Sequence, residues 1–131
     1  MSYLIDTNII IYKGKSVGSV NENFSRYADE DIAISVLTYG ELLFGVEKSQ
    51  NKEKNLAVVN ELIKYMPIIN INADIVKQFA RLKAYMQSIG KPVDDADLLI
   101  ASTAIAKQMT LVTHNTKHFI HIPDLCLADW V

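Results

Sequence analysis

Four short runs of mostly apolar residues constrain this chain more than any other feature: Tyr3-Leu4-Ile5, Ile32-Ala33-Ile34, Ile68-Ile69-Asn70-Ile71 and Leu111-Val112-Thr113. β-Branched and aromatic side chains favour strands. These runs do not alternate apolar with polar, so each predicts a strand covered on both faces, as in a parallel sheet. Between them the apolar spacing lengthens to that of helices. Ser35 can cap a helix from about Val36 toward Ser49. Leu56, Val59, Ile63 and Met66 mark the inner stripe of another, which Pro67 ends. Asn72 precedes a third, with Ile75, Val76, Phe79, Leu82 and Met86 on one face, Gly90 as its closing cap and Pro92 beyond. A fourth, from about Asp95 to Gln108, is apolar nearly all round and therefore central. Residues 13–31 suggest a loop leading into a short helix, and 49–55 an exposed turn. Strands alternating with helices predict an α/β fold in three layers, α/β/α, around a mainly parallel sheet of four to five strands.

The 131 residues fit one domain, 1–131, and can bury a substantial core. A hydrophobic share of 50% against 21% charged argues against disorder. No apolar stretch approaches the roughly 18 residues of a membrane span. Asp6 and Asn8 interrupt the only apolar region that could act as a secretory leader, and Cys126 is alone, so a cytoplasmic protein is expected. The net charge of −2 counts mildly against a nucleic-acid partner. Setting aside Asp6, Glu41, Asp94, Asp95 and Asp97 leaves 13 basic against 10 acidic residues, so the composition permits such a partner without indicating it.

Three acids lead into apolar segments: Asp6 before Thr7-Asn8 and three isoleucines, Glu41 before Leu42-Leu43-Phe44, and Asp97 before Leu98-Leu99-Ile100. A carboxylate in such a setting is costly unless a cation, hydrogen bonds or protonation compensates it. Parallel sheets bind ligands at the carboxyl ends of their strands. Asp6 lies at the end of the first strand and Asn115 two residues beyond the fourth. Glu41 sits two turns into its helix and Asp97 in the first turn of the apolar one, so all four can meet at one sheet edge. Carboxylate oxygens there suit Mg²⁺ or Mn²⁺. Simpler roles stay open for each. Asp6 can cap a helix from Thr7, Thr38-Tyr39-Gly40-Glu41 matches a capping box, the acids at 94–97 suit a helix dipole, and Asn115 suits a turn. His114 and His118 have a zinc-compatible spacing but lie in a loop without a Cys pair, and read as surface histidines. No phosphate-binding glycine loop and no nucleophilic-serine motif occurs.

Taken together these segments resemble the PIN-domain family, and within it the VapC toxins. The residues that carry the likeness are Leu4-Ile5-Asp6-Thr7-Asn8, Ile34-Ser35-Val36 with Glu41-Leu42-Leu43-Phe44-Gly45, and Asp95-Ala96-Asp97-Leu98-Leu99-Ile100-Ala101. It continues in Leu111-Val112-Thr113-His114-Asn115-Thr116-Lys117-His118-Phe119, Ile122-Pro123-Asp124-Leu125 and Asp129-Trp130, spanning nearly the whole chain in order. The resemblance implies that Asp6, Glu41 and Asp97 bind Mg²⁺ or Mn²⁺ and that Asn115 fills a catalytic position often held by Asp, acting through a water. It also implies that Asn8 and Thr113 orient carboxylates. The implied activity is metal-assisted hydrolysis of structured cellular RNA such as transfer RNA, leaving 5′-phosphate and 3′-hydroxyl ends. The implied partners are a VapB-type antitoxin and a second copy of the chain, with Leu42, Leu43, Phe44 and Val46 as contact or core residues.

Two other classes compete. A haloacid-dehalogenase-like phosphatase needs a second acid two residues after the first, where Asn8 stands, and a response-regulator receiver needs its acids in another order. A catalytically weakened PIN-like module that binds RNA or protein is favoured only by Asn115.

Overall fold

The computed structural model describes residues 1–131. Five strands, β1 (Ser2–Ile5), β2 (Asp31–Ser35), β3 (Ile68–Ile69), β4 (Thr110–Val112) and β5 (Leu127–Ala128), form one sheet in the order β3-β2-β1-β4-β5. All four pairings are parallel. Leu4 lies beside Ala33 on one side and Leu111 on the other, which centres β1 in the sheet. The strand order reverses between β1 and β4, and a crevice opens at such a reversal, beyond the strands' carboxyl ends.

The helices are α1 (Thr7–Lys15), α2 (Val20–Arg26), α3 (Val36–Glu47), α4 (Lys52–Leu62), α5 (Ala73–Ser88) and α6 (Asp95–Ala106), with a single 3₁₀ turn at Thr116–His118. Successive residues of β1 point to opposite faces, and each face has its own core. Leu4, Ala33 and Leu111 pack with Leu82 and Met86 of α5 and with Leu98, Ile100, Ala101 and Ala104 of α6. Tyr3, Ile5, Ile34 and Val112 pack with Ile9 and Ile10 of α1 and with Val20, Phe24 and Trp130. Both faces are covered, as the missing alternation predicts.

The caps follow the sequence. Ser35 accepts from Leu37 N at 3.1 Å and Asn72 from Ile75 N at 3.0 Å. Gly90 adopts φ +69°, with Lys91 N on Met86 O at 2.9 Å and Gly90 N on Gln87 O at 3.1 Å. That double bond is a Schellman ending, which needs a left-handed residue after the cap. The same ending closes α6 two residues earlier than expected, with Gln108 at φ +56° in the glycine position and Met109 N on Ala104 O at 2.8 Å.

Other details differ from expectation. α4 stops at Leu62, ahead of Pro67, and its last two stripe residues, Ile63 and Met66, lie in the following turn. This turn brings Pro67 to the sheet, where its carbonyl accepts from Ile34 N at 3.0 Å. Leu56 and Val76, assigned to inner stripes, stand exposed at 40% and 47%. The 49–55 turn is shorter than its composition suggests, because Asn51 accepts from Lys54 N at 3.3 Å and starts α4. β5 carries no sequence signal of its own. No helix is long and apolar enough to cross a membrane.

Candidate active site

Asp6 is 9% exposed at the carboxyl end of β1. Its backbone N donates to Val112 O at 2.9 Å, which ties it to β4. Its Oδ1 accepts from Thr7 N at 2.9 Å, so it does cap α1. Its Oδ2 accepts from the Thr113 hydroxyl at 2.9 Å. Thr113 is fully buried and its oxygen accepts in turn from Asn115 N at 3.1 Å. A buried carboxylate is tolerated when its oxygens are satisfied in this way. Capping and site geometry are therefore not alternatives here: each oxygen serves one.

Glu41 projects from α3. Ser35 rather than Thr38 caps that helix, which removes the capping-box reading of Glu41. Asp97 lies half-buried in the first turn of α6, while its neighbour Asp95 is drawn away to Lys83 at 3.0 Å. Burial pushes the Glu41 carboxyl above its ordinary value, and the Asp6 charge adds to this. The Thr7 hydroxyl pulls the other way, and Asp97 and Asp94 push up again. Burial likewise raises Asp97, followed by Asp6 and Asp94, with His118 opposing. Glu41 and Asp97 thus both feel the Asp6 charge, and the only basic side chain within 4 Å of the three acids is the His118 imidazole, 3.7 Å from Asp97.

Thr113 stands against Asp6, whereas Asn8, Asn115 and His118 take other places. Asn8 is exposed and its side chain makes no hydrogen bond, because the turn into α1 directs it outward. Thr7 takes the neighbouring position, buried, with its hydroxyl 3.4 Å from Thr38 Oγ1 and beside Glu41. Asn115 hydrogen-bonds none of the acids; its amide meets His118 Nδ1 at 3.0 Å. His118 is accordingly more than a surface residue, and His114 does not join it, bonding Asp129 Oδ2 at 2.9 Å instead. Thr7 and His118 were the residues missed. Thr7 was masked by its role in starting a helix, and His118 by a loop whose 3₁₀ turn is invisible to periodicity.

A PIN-domain family model matches residues 3–125. Ribonuclease VapC2 of Rickettsia felis is 38% identical, covering 99% of this chain and 98% of that protein. The tRNA(fMet)-specific endonuclease VapC of Shigella flexneri is 32% identical over the same shares, 99% and 98%. Among solved structures, VapBC2 from Rickettsia felis bound to a DNA fragment from their promoter matches with a TM-score of 0.92, 36% identity and 100% of both chains. VapBC-1 from nontypeable Haemophilus influenzae matches at 0.90 and 32% identity, covering 99% and 98%. The chain belongs to the PIN-domain family and, within it, to the VapC ribonucleases. It is a nuclease, a hydrolase of phosphodiester bonds.

Proposed function

We propose that residues 1–131 act as one unit, a divalent-metal-dependent endoribonuclease toxin of the cytoplasm that cuts structured cellular RNA, with transfer RNA as the substrate class. One observation carries this reading: Asp6, just beyond β1, raises the proton affinity of both Glu41 on α3 and Asp97 on α6, and none of the three is paired with a lysine or arginine. No three His, Cys, Asp or Glu side chains stand close enough together to hold an ion by themselves, so the acids would have to draw in around one whose remaining positions are open. An all-oxygen, open set of that kind suits Mg²⁺ or Mn²⁺, which keep waters and accept substrate oxygens. Asp6, Glu41 and Asp97 would hold the ion, with Asn115 beside them through His118. When bound, the ion supplies charge stabilisation at the phosphate and a more acidic water.

The chain's own residues do the rest. Thr113 and Thr7 N fix both Asp6 oxygens. Glu41 and Asp97 are the acids with raised proton affinity, suited to taking a proton from an attacking water. Water adds to phosphorus as the P–O3′ bond breaks, and the proton ends on the 3′ oxygen, giving 5′-phosphate and 3′-hydroxyl products. The transfer RNA assignment draws on the Shigella relative. A VapB-type antitoxin partner draws on the VapBC complexes. A homodimer is supported by α3, where Phe44 is 64% exposed beside half-buried Leu42 and Leu43.

Brief expression followed by sequencing of RNA 5′ ends tests activity and substrate together. Wild-type protein should produce new 5′-phosphate ends, and Asp97→Asn should produce none while melting as a folded protein. Wild-type cleavage by Asp97→Asn would overturn the assignment of the acids.

A further inference from the structure

Asp97 borders a second space besides the acid cluster. A cavity of about 300 Å³ lies between the α5–α6 connection and the 3₁₀ turn, reached by Asp97, Lys91, Lys117 and His121 over Met86 and Val93. Met86 is 1% exposed and Val93 half-buried, so they form an apolar floor, while both lysines stand at the exposed rim. The Schellman ending of α5 pins Lys91 through its backbone N, and the 3₁₀ turn carries Lys117. Lys52, Lys64 and Lys83 are each paired with a carboxylate, whereas neither Lys91 nor Lys117 is, although Asp94 also lines the cavity.

A polyanion approaching three coupled carboxylates is repelled by them, and a protein of net charge −2 offers no general attraction in compensation. Unpaired cations beside the acids can supply it locally. The space is too small for a duplex and admits one strand, the form in which RNA bases are splayed out for recognition. We propose that this cavity seats the nucleotide adjoining the scissile phosphodiester, with its phosphate between Lys91 and Lys117 and its ribose or base on Met86 and Val93. This rests on the RNA-hydrolase reading and adds where the strand is held.

The test uses the full chain carrying Glu41→Gln, which stops cleavage without altering the cavity, and bulk transfer RNA as the probe across a salt series. Each phosphate contact to single-stranded RNA contributes about 0.7 to the slope of log K against log salt, so losing the one seated between the two lysines lowers it by about 0.7. Lys91→Ala/Lys117→Ala should show that loss with an unchanged melting temperature, and Lys91→Arg/Lys117→Arg should keep the wild-type slope. Lys52→Ala/Lys64→Ala, an equal change of net charge, should leave the slope alone. An equal loss in both alanine pairs, or none in the first, overturns the seat while wild-type cleavage leaves the parent reading standing. If wild-type protein makes no 5′-phosphate ends and the Glu41→Gln protein binds no transfer RNA, both fall.

Discussion

Thr113 does two things with one hydroxyl: it donates to Asp6 Oδ2 and accepts from Asn115 N. Thr113→Val keeps the shape and strands both partners in a fully buried place. The expected cost is about 1–3 kcal/mol in urea unfolding. Loss of an orienting hydrogen bond also weakens a metal site by about 10–100-fold, readable by Mn²⁺ titration. Thr113→Ser should restore both, and a Val variant with wild-type stability would deny the hydroxyl this role. Each candidate acid is conspicuous in the sequence as a carboxylate beside an apolar run. Its partners were less so. Thr7 and His118 are ordinary residue types, and only the fold brings them to Glu41 and Asp97.

α5 and α6 end alike, yet one has glycine and the other glutamine at the left-handed position. An added Cβ at Gly90 meets nothing within 4 Å, so substitution there tests backbone conformation alone. Gly90→Ala should lose, and Gln108→Gly should gain, about 1 kcal/mol in denaturant midpoint, with opposite signs as the check. Shifts of the same sign would show that tertiary contacts, not φ, decide these endings. The pair also explains what the sequence conceals about elements. Gly90 announces its helix end, while Gln108 gives no warning and the sequence reading runs α6 too long. β5 is hidden for a similar reason: two residues paired to β4 owe their strand form to the neighbour rather than to their own propensity.

Charge repulsion among β1, α3 and α6 is a property of the assembled molecule, since the unfolded chain keeps those acids apart. Glu41 and Asp97 bind protons more tightly folded than unfolded. Below the ordinary carboxylate range both states are protonated and this contribution to stability is fully present. As pH rises past that range toward the raised folded values, the unfolded chain deprotonates first and the contribution is lost. The melting temperature of chelator-treated protein should therefore fall across that window, and saturating Mg²⁺ or Mn²⁺ should reverse the fall. Glu41→Gln/Asp97→Asn should flatten it, and an equal fall in that variant would place its origin elsewhere. At this scale the sheet was legible because its strands are long-range but chemically alike, whereas the tail was not: Asn23 Nδ2 reaches Trp130 O at 2.9 Å, and Trp130 stacks on Tyr27, from opposite ends of the sequence. The bond from Thr113 to Asp6 likewise spans 107 residues. A ribosome making this chain lays down Asp6 well before β4 and must release β4 before that carboxylate is held by Thr113. A message cut short upstream of Thr113 thus yields fragments in which Asp6 lacks that partner, and the cell meets the completed centre only from a transcript read past β4.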